Sequence, residues 1–225
     1  MIRLESVCKI FPIDDGHSVT ALAGVDLTIK QGEFVAVMGA SGSGKSTLLN
    51  LMGCLDRPSG GRCVVMGVDT AELDDRRLSR LRGRSIGFVF QAFHLIPGLT
   101  VVENVEVPLL YSHRSRRERR RRALGLLDEV GLADRAEHRV ATLSGGEQQR
   151  AAIARAVAND PAVVLADEPT GSVDAQAANA IVALLRGMNR TGRTVVVVTH
   201  NPGVAAQARR LVRISNGRVL AVEAA

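Results

Sequence analysis

The segment that most narrows the possible folds is Gly39-Ala40-Ser41-Gly42-Ser43-Gly44-Lys45-Ser46-Thr47, which follows the apolar run Phe34–Met38. Helix-forming residues come directly after it. A strand that ends in glycines and restarts as a helix is the pattern of a phosphate-binding loop. Glycine tolerates the turns and the close backbone approach that aim successive N–H groups at phosphate oxygens. The helix behind the loop adds the positive end of its dipole. Lys45 is placed to reach the β- and γ-phosphates of a nucleotide, and the Ser46 hydroxyl to ligate Mg2+. The expected fold is α/β, with a P-loop NTPase core and a mostly parallel sheet.

Two more apolar runs, residues 163–166 and 195–198, have the continuous hydrophobicity of strands buried on both faces. All three runs end in polar or glycine-rich residues: Gly39 onward, Asp167-Glu168 and Thr199-His200. Ligands of open α/β sheets sit beyond the carboxyl ends of the strands, so the three segments are expected to share one crevice. Asp167 suits the holding of Mg2+ through water, and Glu168 the polarising of an attacking water as general base. Either carboxylate could instead cap the following turn. His200 could contact the γ-phosphate or be a satisfied polar residue at a strand end.

The pattern changes between residues 91 and 159, where helical segments dominate at 101–110, 116–130 and 147–158. This stretch reads as an α-helical subdomain inserted into an α/β core of residues 1–90 and 160–225. The first thirty residues and residues 61–67 alternate over shorter runs and read as an antiparallel β edge. The whole chain, 1–225, reads as a single domain.

Within the helical stretch, Leu143-Ser144-Gly145-Gly146-Glu147-Gln148-Gln149-Arg150 forms a second glycine-bearing helix start. Ser144 and Glu147 have the spacing of a capping box, which by itself accounts for both. Glycines in a first turn cost roughly 1 kcal/mol each relative to alanine. N–H groups left open to an approaching anion would justify Gly145 and Gly146. One nucleotide does not need two such surfaces, so the simplest use of the second is to close over a nucleotide held by another copy of the chain.

The formal charge of +6 owes much to Arg114, Arg116, Arg117 and Arg119 through Arg122. That run reads as a solvated helix face, or as a contact for anionic lipid headgroups or nucleic acid. Aromatic content of 3% leaves little base-stacking equipment, so no nucleic-acid partner is expected. Cys8, Cys54 and Cys63 lack metal-type spacing and read as free thiols in a reducing compartment. No apolar run reaches the roughly 18 residues of a membrane span, and the first residues lack the core of a secretory signal. A cytosolic location is expected.

Taken together, these segments resemble the ATP-binding subunits of ABC transporters over essentially the whole chain. Gly39 to Thr47 looks like Walker A, and Val163-Val164-Leu165-Ala166-Asp167-Glu168-Pro169 looks like Walker B with the catalytic glutamate. Residues 143–150 match the signature segment, Gly171-Ser172-Val173-Asp174 the D-loop, and His200 the switch histidine. Gln91, an unremarkable loop glutamine on its own, looks like the Q-loop residue and so a Mg2+ ligand beside Ser46 and Asp167. Phe11 is similar in position to the family's adenine-stacking aromatic; its other reading is edge-sheet core. The resemblance implies ATP and Mg2+ as cofactors, and Glu168, His200 and Lys45 as the catalytic set. It also implies an ATP-sandwich homodimer in which Ser144, Gly145, Gly146 and Glu147 touch the partner's nucleotide.

Residues 51–56, Asn104-Val105-Glu106-Val107-Pro108 and 167–171 resemble the macrolide-export and lipoprotein-release branch. That resemblance implies ATP hydrolysis coupled to extrusion through a separate transmembrane permease, with a periplasmic or envelope adaptor as a further partner. It places the chain peripherally on the cytoplasmic face of the inner or plasma membrane. A regulatory, non-transporting ATPase of the cell-division type would carry the same motifs. DNA-repair relatives insert long coiled coils, for which the about 120 residues between Lys45 and Asp167 leave no room. Asn201 stands where many relatives carry aspartate, and Ser172-Val173 departs from the commoner D-loop residues.

Overall fold

The computed structural model describes residues 1–13 and 17–224. Among these, β1 (Ile2–Pro12), β2 (Ser18–Ile29), β4 (Gly60–Val65) and β5 (Val68–Asp69) form an antiparallel sheet in the order β2-β1-β4-β5. This is the expected β edge. A second sheet holds β3 (Phe34–Met38), β6 (Ile86–Val89), β7 (Val163–Asp167), β8 (Thr194–Val198), β9 (Arg210–Ser215) and β10 (Arg218–Ala224). Its order is β10-β9-β3-β8-β7-β6, parallel throughout except for the β9–β10 hairpin. The three apolar runs are therefore neighbours, β3-β8-β7, and the α/β fold with a mostly parallel sheet is as expected.

The two-residue period of a strand explains why these runs are apolar without a break. Phe34, Ala36, Val164, Ala166, Val195 and Val197 join one core. Their alternates Val35, Val37, Val163, Leu165, Val196 and Val198 join another. One core also contains buried residues of α3 (Val101–Glu106), α4 (Arg116–Glu129), α5 (Gly145–Ala156), α6 (Ala175–Arg190) and α7 (Pro202–Ala205). The other joins the sheet to the β edge, to α1 (Lys45–Met52) and, through Leu78, to α2 (Asp75–Ser85).

Helix boundaries differ from expectation for local reasons. The segment 101–110 is α-helical only to Glu106 and then tightens into a 3-10 turn over Val107–Tyr111. Pro108 has no N–H for Asn104, which removes an α-helical hydrogen bond there. Helix α5 runs over Gly145–Ala156, starting where the Ser144 capping box requires rather than at 147 and ending two residues before 158. The described residues contain no helix long and apolar enough to cross a membrane.

Candidate functional site

The glycine-rich loop joins β3 to α1, and its conformation depends on glycine. Gly42 and Gly44 have φ of +76° and +101°. A Cβ on Gly44 would lie 2.5 Å from the Ala21 carbonyl oxygen, and one on Gly39 would lie 2.2 Å from that of Ile214. The Lys45 ammonium donates to the carbonyl oxygens of Gly39 at 2.8 Å and Ala40 at 2.7 Å. Ser43 donates its N–H to Ala40 at 3.2 Å, and its buried hydroxyl has no hydrogen-bond partner. Ser41 and Ser46 are exposed at the loop, and Thr47 is half-buried. Helix α1 starts at Gly44 with no side-chain cap. Its first N–H groups are thus free to serve an anion, as a phosphate-binding helix requires.

Asp167 ends β7 with Glu168 directly after it, and His200 lies just beyond the end of the neighbouring strand β8. Burial pushes the Asp167 carboxyl above its ordinary range. The Ser46 hydroxyl beside it pulls the other way, the Glu168 charge pushes upward and Lys45 pulls downward. Asp167 Oδ1 is buried without a hydrogen-bond partner. Glu168 has φ +44°, a left-handed conformation rare for a non-glycine residue and typical of functional strain. Its N–H donates to the Val198 carbonyl at 2.9 Å, which pins the residue to β8. There its Oε1 meets His200 Nδ1 at 2.8 Å, with the carboxylate side chain 15% and the imidazole 75% exposed. Neither residue caps the next helix; Asp174 does that for α6, accepting from the Ala177 N–H at 2.8 Å.

The raised Asp167 carboxyl carries a testable sign. A group whose folded-state value lies above its unfolded value favours the fold only while protonated. That contribution is complete below the unfolded carboxylate range and is lost as pH rises through the folded value. Once pH has risen through that value, the half-buried carboxylate works against the fold, and a cation beside it would offset this. Asp167→Asn is expected to raise the thermal midpoint of the nucleotide-free protein at pH 7, with the gain shrinking toward pH 4. A lower midpoint at pH 7 in differential scanning fluorimetry would contradict this.

Gln91 follows β6 and lies against the backbone of Gly171, where an added Cβ would be 2.8 Å from its Nε2. A tighter link was not visible in the sequence. Gln149 is fully buried in α5 and donates from Nε2 to the carbonyl oxygens of Phe90 at 3.2 Å and Pro169 at 2.7 Å. Those carbonyls belong to the residues immediately before Gln91 and immediately after Glu168. One amide therefore fastens α5 to both active-edge loops. The only hint in the sequence was a glutamine at an inward position of an amphipathic helix. On the same helix, Arg155 donates to the carbonyl oxygens of Phe93, at 2.7 Å, and His94, steadying two residues with φ of +58° and +49°.

The second glycine-bearing helix start is a complete capping box. Ser144 Oγ accepts from the Glu147 N–H at 3.3 Å, and Glu147 Oε2 accepts from the Ser144 N–H and hydroxyl, both at 2.8 Å. Those bonds, chiefly from the Ser144 backbone, hold the Glu147 carboxyl below its usual range, and Arg135 lies 3.4 Å away. Glu147 is thus committed to its own helix. Ser144 is exposed and Gly145 half-buried. Gly146 is different: it is buried, and an added Cβ would lie 2.6 Å from Ala177 Cβ on α6. Helix packing by itself is a sufficient reason for that glycine. Gly146→Ala is expected to cost about 1–3 kcal/mol of stability through overpacking. Adding Ala177→Gly should recover much of the loss in chemical denaturation, whereas simple additivity of the two changes would refute the contact.

Phe11 is not edge-sheet core. It is 39% exposed near the end of β1, with the Lys9 ammonium 4.9 Å from its ring centroid and Ile10 beside it 43% exposed. Lys9 is itself fixed by Asp56 Oδ1 at 2.6 Å. Asn201 caps α7, accepting from the N–H groups of Gly203 at 2.8 Å and Val204 at 3.4 Å. Aspartate would do the same, so this departure keeps the local structure. Among the described residues, the loop, Asp167, Glu168, His200 and Gln91 gather at the carboxyl edge of the sheet. No hydrogen bond joins Ser144–Glu147 to the glycine-rich loop, and Phe11 stands apart on the β edge.

Residues 22–171 match the sequence profile of the ABC transporter family. The macrolide export ATP-binding/permease protein MacB of Brucella melitensis is 51% identical over 220 residues, which is 98% of this chain and 34% of that protein. The chain thus spans about a third of the length of the first curated relatives it matches. An ABC transporter ATP-binding protein of Thermotoga maritima is 48% identical over 223 residues, covering 99% of this chain and 95% of its own length. Among solved structures, a dimeric post-hydrolysis state of the ATP-binding cassette MJ0796, bound to ADP and Pi, superposes with a TM-score of 0.93. It is 46% identical and is matched over 100% of this chain and 98% of its own.

Proposed function

The chain belongs to the ABC transporter family as one of its ATPase components, and from that premise we propose that it drives a transmembrane permease of the macrolide-export branch. The observation that carries this reading is the Glu168–His200 pair, 2.8 Å apart, on the sheet edge that also presents the uncapped start of α1. ATP is the substrate. Its phosphates would lie on the backbone of Gly39 to Gly44 and the first turn of α1, with Lys45 turned from its loop carbonyls toward the β- and γ-phosphates and with Phe11 stacking on the adenine.

The donor set fits Mg2+. Asp167, whose carboxyl lies beside the Ser46 hydroxyl, has one buried oxygen without a partner, and no cluster of three His, Cys, Asp or Glu side chains competes among the described residues. Magnesium keeps waters and shares substrate phosphates rather than filling a protein cage. Ser46, Asp167 and Gln91 would hold it, and when bound it neutralises charge on the phosphate oxygens. Glu168 takes a proton from the attacking water, and His200, bonded to the same carboxylate, holds it in place and reaches the γ-phosphate side.

Two copies would close head to tail, each setting Ser144 and Gly145 against the other's nucleotide. That the similar cassette MJ0796 is dimeric supports an assembly of two copies. Helix α5 carries both that contact and Gln149, so closure and the loops of Gln91 and Glu168 would move as one piece. The helical segment of residues 91–159 would pass this motion to the permease at the cytoplasmic face of the membrane, and an envelope adaptor would complete the extrusion path. Sedimentation of the Glu168→Gln variant with and without Mg·ATP tests the two-copy site; a monomer at saturating Mg·ATP overturns it.

A further inference from the structure

Nucleotide chemistry leaves the basic run around α4 unexplained. Of the seven arginines from Arg114 to Arg122, only Arg120 has carboxylate partners among the described residues, namely Glu106 and Glu137. The one acid inside the run, Glu118, is tied to Ser115 by bonds of 2.7 Å and 2.6 Å from its N–H and hydroxyl. Arg116 and Arg117 occupy the first turn of α4, where the helix dipole disfavours cations. Arg117 and Arg121 are like charges four apart, which also weakens a helix. A merely solvated face would mix in acids at those spacings. The run is thus locally unfavourable, as expected of a surface that meets an external anion.

The shape points the same way. Arg114, Arg121 and Arg122 line a cleft of about 310 Å3 with Glu118 and Gly125, of a size to admit a phosphate headgroup. Directly before it stand Leu110, 56% exposed, and Tyr111, 91% exposed and the chain's single tyrosine. Aromatic and aliphatic side chains beside unpaired arginines suit the boundary between lipid headgroups and acyl chains. A nucleic-acid surface would need further stacking rings, which this face lacks.

We propose that the face formed by Leu110, Tyr111, Arg114, Arg117 and Arg121 is a contact surface for the anionic phospholipids of a bilayer. It gives the ATPase an affinity for the membrane that is independent of nucleotide and of any permease.

The purified chain is mixed with vesicles of phosphatidylcholine alone or with about one-third phosphatidylglycerol, and association is read by flotation. Binding to the anionic vesicles only is expected, together with release in high salt and persistence in millimolar inorganic phosphate. Arg114→Glu/Arg117→Glu/Arg121→Glu should weaken it roughly tenfold or more while leaving ATPase activity in place. Tyr111→Ser should weaken it several-fold. A control of equal charge change, Arg76→Glu/Arg77→Glu/Arg80→Glu on the exposed face of α2, should retain binding. Equal loss in the α2 control, release by phosphate alone, binding to neutral vesicles, or RNA binding without vesicle binding would each overturn the proposal.

Discussion

Glu168→Gln is expected to lower kcat by about 10^2–10^4-fold, the usual contribution of a positioned general base, while ATP binding survives. Glutamine is nearly isosteric, so the left-handed backbone at φ +44° and the 2.8 Å contact with His200 can persist. What disappears is the carboxylate that would accept the proton of the attacking water. ATP then remains in place, and if both copies contact each nucleotide, as proposed, the closed dimer should accumulate. Light scattering or analytical ultracentrifugation at saturating Mg·ATP should show a doubled mass that collapses when ATP is replaced by ADP. Normal turnover would remove Glu168 from the chemistry. Lost turnover without dimer formation would leave the catalytic role standing and discard the two-copy site.

Lys45→Ala is expected to act one step earlier. The ammonium makes two bonds to loop carbonyls, at 2.8 Å and 2.7 Å, and is the only cation among the loop residues from Gly39 to Thr47. A charged hydrogen bond contributes about 1.5–3 kcal/mol, so losing one phosphate contact should weaken ATP binding roughly 10- to 150-fold. Isothermal titration should show that loss directly, and no ATP-dependent dimer should form at concentrations that saturate the wild type. Unchanged affinity would mean that the loop backbone and the α1 dipole carry the phosphates unaided. The two variants separate binding from chemistry: one should hold ATP without cleaving it, the other should hold it more weakly.

The central sheet and the reactive edge were legible because they rest on local, directional signals. A strand buried on both faces must be apolar throughout, so β3, β7 and β8 announced themselves, and the polar residues at their ends marked the crevice. Glycine loops and capping boxes are likewise written in consecutive residues. Contacts between distant segments were not legible. The closeness of Gly146 to Ala177 depends on how α5 crosses α6, and no spacing in the sequence encodes that distance. Gln149 was hidden for the same reason, since its partners at Phe90 and Pro169 lie 59 and 20 residues away. The weakly patterned α2 and the β9–β10 hairpin carry signals too short to stand alone. Pro108 shortened α3 in a way its sequence does state, but its neighbours read as continuous helix.

The burial of Asp167 has a consequence beyond catalysis. A fold that keeps a half-buried carboxylate with one unpartnered oxygen in its crevice gains from whatever partners it, so ligand occupancy and conformational stability would rise and fall together by mass action. Chains lacking nucleotide would unfold more often and meet proteases more often, because degradation follows the population of opened molecules. The same side chain that prepares the site for chemistry would thereby make the lifetime of each molecule depend on how well the cell is supplied with ATP.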